Sequence, residues 1–288
     1  MNRFPSDLRA AVTESAREIQ DPADRRVWII DEASSRTIAE EFEISLLQVH
    51  TAALASEIWP LRYLRNHDSI SILHQQQLLQ SRVAIIGAGG LGGHVMHLLA
   101  RIGIGRLVAV DDQKFDESNA NRQIFAQTDT LGAWKVDTAA AMIARINPAV
   151  GVQAHRVRVT EENVDHLIDG VHAAVDAVDN VGDRLLLQAA CNRRQVPMVH
   201  GALAGFEGQV MTVFPGDEGL RALYEGETQD PSAPSAEAML GVPAIAPAFI
   251  ATLQAMEVIK ILLQRGRPLQ QRMLYTEMEN SRFSEFCF

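Results

Sequence analysis

Apolar positions along the chain keep two different periods. Val83-Ala84-Ile85-Ile86, Leu107-Val108-Ala109-Val110 and Ala173-Ala174-Val175 are short unbroken apolar runs, as in parallel strands covered on both faces. Val152 to Val159 alternates instead, and Val196 to His200 and Val210 to Phe214 are two more strand-like stretches. Helical spacing governs residues 90–101, 133–146, 161–168 and 183–195. A long, largely apolar helix is expected over 244–264, ended by Gly266 and Pro268. Met273-Leu274-Tyr275 and residues 282–288 read as two further strands. This alternation predicts an α/β fold, a mostly parallel sheet with helices on both faces and antiparallel C-terminal strands. Residues 215–243 are rich in Pro, Gly and Ala and read as a long crossover loop or lid.

Residues 1–60 stand apart. Ser6 to Gln20 has helical spacing through Leu8, Val12 and Ile19, and Val27 to Ile30 reads as a short strand. Residues 37–42 and 46–54 read as two short helices about the Glu43-Ile44-Ser45 turn, a helix-turn-helix cadence. A DNA-reading second helix needs cations, and Ser45 to Ile58 has neither Lys nor Arg. The expectation is a small helical extension over 1–60, a cap or dimerisation element, followed by the main domain over 61–288.

The candidate chemistry gathers around the first parallel strand. Gly87-Ala88-Gly89-Gly90-Leu91-Gly92 follows it and opens a helix. Glycines there allow a tight turn and let the backbone approach phosphates, and the helix N-terminus supplies free N–H groups, so the unit reads as Rossmann-like. Asp111 ends the next strand, about where a ribose-binding acid belongs. These features alone would also suit a nicotinamide or flavin dehydrogenase. The chain then departs from one. Ser118-Asn119-Ala120-Asn121-Arg122-Gln123 is a dense polar cluster, and Lys135 sits in the first turn of a helix. A cation there opposes the helix dipole, a cost that a nearby anion would relieve, although a solvated surface lysine reads equally well. Asp176 and Asp179 end the strand Ala173–Asn180. Asp179 could hold Mg2+ beside phosphates or cap the helix that follows. Arg62 and Arg65 flank Tyr63 ahead of the nucleotide strand and read as surface residues or as a phosphate clamp. His200 and Glu207 are expected near the rim, and Cys191 reads as a buried structural residue.

Composition narrows this only a little. The 288 residues are 47% apolar and 22% charged, with a net charge of −10. The acidic balance weighs against a nucleic-acid partner. No apolar run approaches the ~20 residues of a membrane span. Two cysteines, Cys191 and Cys287, form no CxxC pair, and no secretory leader is evident, so a cytoplasmic setting is expected.

Two cations, a carboxylate and a glycine turn without hydride-transfer machinery suit attack at phosphorus. From Leu61 to Phe288 the sequence resembles the ThiF/MoeB/HesA family of bacterial adenylyltransferases, relatives of the ubiquitin-activating enzymes. The motifs are G-A-G-G-L-G, S-N-A-N-R-Q, G-A-W-K, V-D-A-V-D-N, G-A-L-A-G-F-E-G-Q-V and T-L-Q-A-M-E-V-I-K, in that order. The resemblance implies a homodimer that uses ATP and Mg2+ to adenylylate the C-terminal Gly-Gly carboxylate of a small ubiquitin-like sulfur-carrier protein, or a peptide with a C-terminal glycine. It implies ATP contacts from Gly87, Gly89, Gly90, Leu91 and Gly92, and ribose contacts from Asp111. Asn119, Arg122 and Lys135 would hold the triphosphate, with Gln123 and Asn180 supporting the site and Asp179 on Mg2+. Arg65 matches an arginine that reaches the partner's phosphates, which reverses its surface reading.

The sequence leaves the family pattern at three places. Gln113 stands where many members have a second Asp. Leu220 and Leu223 stand near the first of two CxxC pairs that hold structural zinc in many members, so no zinc site is expected. The crossover loop has no cysteine, and Ser235 or Glu237 falls near its expected place. Adenylylation without a thioester or persulfide step is therefore the expectation. A small-molecule or tRNA-linked carboxylate substrate, as in related dehydratases, and a non-catalytic nucleotide-binding scaffold are the alternatives.

Overall fold

The computed structural model describes residues 5–224 and 235–288. The N-terminal part comprises α1 (Ser6–Glu14), β1 (Arg17–Gln20), β2 (Arg26–Ile30), α2 (Glu32–Glu41), α3 (Leu46–Ala55) and β3 (Trp59–Pro60). It is not purely helical. The expected helix 6–20 stops at Ser15, and β1 pairs antiparallel with β2 while β2 pairs parallel with β3. Ile19 faces Val27 in that hairpin, and both pack against the cluster of Leu54, Trp59 and Tyr63. Strand pairing thus half-buries Ile19 against that cluster, in place of the continued helix that was expected. Leu8, Val12, Ile30, Ile38 and Val49 form this part's own core.

A 3-10 turn (Leu61–Asn66) and α4 (Ile72–Gln80) lead into the main sheet. It is built from β4 (Arg82–Ile86), β5 (Arg106–Val110), β6 (Gly151–His155), β7 (Ala173–Asp176), β8 (Met198–Ala204), β9 (Glu207–Val213), β10 (Arg272–Glu277) and β11 (Arg282–Cys287). Their order is β11-β10-β9-β8-β7-β4-β5-β6. The five strands from β8 to β6 are parallel, and β9, β10 and β11 are antiparallel. The intervening helices are α5 (Gly90–Ile102), α6 (Lys135–Ile146), α7 (Val164–Leu167), α8 (Val181–Arg194), α9 (Arg221–Tyr224), α10 (Ala236–Leu240) and α11 (Ile245–Leu263).

Alternate residues of each apolar strand serve opposite faces. Val83, Ile85, Leu107 and Ala109 pack under α5, α6 and α11, while Ala84, Ile86, Val108 and Val110 pack on α7 and α8. Burial of both faces is why these runs lack polar positions. The glycine-rich stretch 201–208 belongs mostly to the β8–β9 hairpin. The alternating stretch 152–159 leaves the sheet after His155, and Val157, Arg158 and Val159 turn to line the pocket described below. The crossover 215–243 contains α9 and α10, while its residues 225–234 lie outside the described residues. Among the described residues, α11 is the one helix long and apolar enough to span a bilayer. Ile250, Ala251 and Val258 on it are fully buried against the sheet, which makes it a core helix.

Candidate nucleotide-binding active site

The strand order reverses at β4. The chain runs from β4 to β5 and β6 on one side, then crosses to β7 and β8 on the other. Such a switch point opens a crevice beyond the strand C-termini. A cleft of about 330 Å3 lies there, lined by residues following β4, β5, β6 and β7 and by Glu237, Val242 and Pro247 from the crossover side.

The glycine turn forms its floor. Gly87 has φ +96°, and a Cβ there would lie 2.4 Å from the Ala177 carbonyl oxygen. At Gly92 a Cβ would stand 1.8 Å from the Gly87 carbonyl oxygen, so α5 packs on its strand only with glycine there. No side chain caps α5, which leaves its first N–H groups for an anion. Gly89, Gly90 and Leu91 line the same floor.

Asp111 is already oriented. Its Oδ2 accepts from the Ala88 N–H at 2.8 Å, and its Oδ1 accepts from the Gln113 N–H at 2.8 Å. The carboxylate thereby ties the end of β5 to the glycine turn. Burial pushes its pKa up, against the Ala88 N–H and the Lys135 charge.

Lys135 begins α6 and is only 4% exposed. It is no solvated surface lysine. Its Nζ donates to Gln113 Oε1 at 2.8 Å. Gln113, standing where a second carboxylate was expected, neutralises no charge. Burial pushes the Lys135 pKa down, and the Asp111 carboxylate opposes this.

Arg122 is half-buried on the pocket wall, its Nη1 donating to the Ser118 carbonyl and to Asn121 Oδ1 at 2.7 and 2.9 Å. Asn119 lines the wall too, and its Oδ1 accepts from the Asp116 N–H in a capping box. Gln123 is buried beneath the glycine turn, and its Oε1 has no partner among the described residues. A buried amide oxygen without a donor costs free energy until something in the pocket supplies one.

Asp179 is exposed after β7 and lines the cleft. Asn180, not Asp179, caps α8, its Oδ1 accepting from the Asp183 N–H at 2.8 Å. Asn180 also donates to Asp183 Oδ2, so its amide is committed within the chain although it lines the pocket. Asp179 is thereby free of capping duty. Asp176 is fully buried and accepts from His200 Nδ1 at 2.7 Å. His200 therefore lies under the strand ends and not at the rim. Its Nε2 faces Gln209, which reaches the Tyr224 hydroxyl at 3.3 Å. Glu207 starts β9 at the hairpin turn and accepts from the Tyr275 hydroxyl, away from the cleft.

Two pocket residues and one residue behind the pocket were given no role by the sequence. Glu237 lines the cleft, and burial raises its pKa against the opposing charge of Arg184. Arg184 is 4% exposed and donates to the Val178 carbonyl, bracing the Asp179 turn from behind. Arg158 reaches the rim from the segment after β6. The place of the missing crossover-loop cysteine pointed to Glu237, and no local sequence signal marked Arg158 or Arg184. Cys191 is buried with its pKa pushed up to about 12. Cys287 is on β11, the strand at the opposite sheet edge from β6. Leu220 is fully buried, packed with Met211 and Val213.

Arg65 does not line this cleft. It is exposed on the 3-10 turn, with no partner among the described residues. The Tyr63 hydroxyl accepts from Asn147 Nδ2 beyond the C-terminus of α6, and Arg62 donates to the Ile146 carbonyl. The turn thus sits at the far end of the helix that begins with Lys135. Twelve residues of helix put about 18 Å between those ends.

The ThiF family model matches residues 63–288. The chain belongs to the ThiF family. It is 37% identical over 216 residues to the SAMP-activating enzyme E1 of Haloferax volcanii, covering 75% of this chain and 80% of that protein. It is 34% identical over 214 residues to the sulfur carrier protein adenylyltransferase of Thermus thermophilus, covering 72% and 79%. The molybdopterin-synthase adenylyltransferase of Salmonella typhimurium is 34% identical over 217 residues, covering 73% and 84%. Among solved structures, the E. coli enzyme MccB with AMPCPP and MccA superposes with a TM-score of 0.69 at 18% identity over 89% of this chain and 79% of that one. PaaA superposes at 0.66 and 19% identity over 95% and 98%. These two share the fold.

Proposed function

We propose that this ThiF-family chain uses ATP to adenylylate a carboxylate, the C-terminal glycine of a ubiquitin-like sulfur-carrier protein, releasing pyrophosphate. The observation that carries this is the convergence of Arg122, Lys135 and Asp179 on one cleft floored by a glycine turn. The relatives named for activating SAMP and sulfur-carrier proteins support the substrate class.

In this reading the backbone of Gly87 to Gly92 and the α5 N-terminus cradle phosphates. Asp111 receives the ribose hydroxyls, and the Gln123 amide takes the donor it lacks. Asn119, Arg122 and Lys135 hold the triphosphate. The substrate carboxylate oxygen attacks the α-phosphorus, a new P–O bond forms, and the bond to the β-phosphate breaks with its electrons leaving on pyrophosphate. No proton moves in this step. Arg122 and Lys135 stabilise the charge that builds on the reacting and departing oxygens. The exposed carboxylate of Asp179 fits a hard cation shared with phosphates. Mg2+ held there supplies charge neutralisation. Asn180 acts through α8 and sets the turn carrying Asp179. With Cys191 buried and Cys287 far off, the acyl-adenylate passes to an external nucleophile without a thioester on this chain. Homodimerisation accompanies this reading, with Arg65 serving the partner's cleft.

The test is ATP–pyrophosphate exchange with candidate carriers ending in Gly-Gly. Exchange is expected with one of them and is lost in Arg122→Ala. If the protein binds no ATP, or exchange is the same in Arg122→Ala, the proposal fails.

A further inference from the structure

The sheet face turned toward α8 is apolar until its carboxyl edge. Ala174, Met198 and Val213 stand in register on β7, β8 and β9 and pack in one cluster with Leu187 and Ala190 of α8. Two residues further along β7 and β8, the same face carries Asp176 opposite His200. Both are fully buried. Replacing such a pair by apolar side chains is often neutral or stabilising, so packing alone does not call for it.

The pair has a direction. Asp176 accepts from His200 Nδ1 at 2.7 Å. That places the ring proton on Nδ1 and leaves Nε2 an acceptor, since burial pushes the His200 pKa down against the pull of Asp176 and keeps the ring neutral. The Gln209 amide nitrogen stands 3.2 Å from Nε2 and 3.3 Å from the Tyr224 hydroxyl oxygen on α9. Its two protons serve those two acceptors. A donor fixed on Nε2 sets the tautomer, and the tautomer aims the other nitrogen at Asp176.

Asp176 passes this order to the turn that follows. Its Oδ1 accepts from the Val178 N–H at 3.2 Å, and its main-chain carbonyl accepts from the fully buried Gln254 of α11 at 2.8 Å. The Val178 carbonyl accepts from Arg184 at 2.8 Å. Both backbone polar groups of the residue ahead of Asp179 are thus fixed by buried side chains. Asp179 itself is exposed, so the residue before it sets where its carboxylate can reach.

We infer that His200 is a positioning residue for Asp179: held in one tautomer by Gln209, it fixes the Asp176 carboxylate, which fixes the Val178 N–H and the turn that presents Asp179 to the cleft. His200 does not line the cleft. The cation at Asp179 rests on the adenylylation reading above, whereas the order of the turn does not.

In the nucleotide-free protein the Val178 amide should be protected from hydrogen exchange. In His200→Phe, which fills the space without a donor, it should exchange about tenfold faster, the weight of one hydrogen bond. ATP affinity of the wild type, measured by calorimetry, should rise with Mg2+. His200→Phe should lose about tenfold in affinity with Mg2+ present, the lower end for a residue that orients a metal ligand, and nothing in EDTA. His200→Asn, whose amide nitrogen stands near the place of Nδ1, should recover most of both losses. Gln209→Leu, which releases the tautomer, should fall between wild type and His200→Phe. Where His200→Phe does not fold, Gln209→Leu against His200→Asn decides by the same two readouts. A wild-type Val178 amide without protection, a wild-type ATP affinity that ignores Mg2+, or a loss equal in Mg2+ and in EDTA overturns the inference. So do variants indistinguishable from wild type. Mg2+-dependent ATP binding that follows the variants, with pyrophosphate exchange by no carrier, leaves His200 its role and removes the adenylylation reading. Carrier-dependent exchange whose Mg2+ dependence ignores the variants does the reverse.

Discussion

Lys135 carries a buried cation into the cleft at the first turn of α6. In the sequence a lysine in a first helical turn opposes the dipole and could as well be solvated. In the fold it is buried, bonded to a neutral amide, and held near Asp111. Such an ammonium has given up water without gaining a carboxylate contact, and an anion in the cleft would supply the missing partner. Lys135→Ala is expected to lower the adenylylation rate about 10²–10³-fold, the usual loss for one transition-state donor. The sign of its pH dependence follows from burial. Its pKa is depressed, so the charged form is lost as pH rises, at a lower pH than for an ordinary lysine. The alkaline limb of a rate profile should therefore fall early. Gln113→Glu should move that limb to higher pH by placing a carboxylate on the ammonium. A limb unmoved in Gln113→Glu would show that another group titrates there.

At the scale of elements, the apolar strands were legible because both of their faces are buried, so pattern and burial coincide. The turns that carry the site were legible for the same local reason: glycine, cap and acid are neighbours in sequence. What was not legible depends on partners far along the chain. β1 was hidden because Arg17, Glu18 and Gln20 are exposed, and only the pairing of Ile19 with Val27 makes it a strand. His200 looked like a rim residue because its partner Asp176 is 24 positions away. Asp179 looked like a cap because the cap, Asn180, is its neighbour. That last point yields a test. Asn180→Ala should cost about 1 kcal/mol of stability by removing the α8 cap. Asn180→Ser, which keeps an oxygen for the Asp183 N–H and adds no charge beside the Asp183 carboxylate, should recover most of it. If Asn180 acts only by setting the Asp179 turn, the two variants should rank alike in thermal unfolding and in ATP affinity. A large loss of affinity in Asn180→Ser with stability intact would instead assign Asn180 a direct contact with the nucleotide.

At the scale of the molecule, residues 5–60 are tied to the C-terminal end of α6, opposite Lys135. Arg62 bridges Glu32 at 2.7 Å and the Ile146 carbonyl at 3.1 Å. Beside it His50 on α3 is 1% exposed, edge-on to Tyr63, and its Nδ1 has no partner among the described residues. Burial is the first cause and the Arg62 charge the second of a pKa lowered to about 4, with Glu32 opposing. Tyr63, packed against the same ring, has its own pKa pushed up to about 12 and stays neutral across the relevant range. The folded state therefore holds His50 neutral while the unfolded chain protonates it near its ordinary 6.5. The unfolded state binds more protons in between, so stability is full above about pH 6.5 and declines as pH falls toward 4. A shift of this size corresponds to roughly 3 kcal/mol at its limit. The midpoint of thermal unfolding should drop between pH 6.5 and 4 by more than in His50→Phe, which keeps the ring volume and cannot be protonated. Protease accessibility of residues 1–60 over the same range locates the effect. Early cleavage there, with the glycine-turn domain still folded, would place the acid-sensitive joint at His50 and Arg62. Simultaneous loss of both parts would mean that the N-terminal unit has no stability of its own and unfolds only with the sheet.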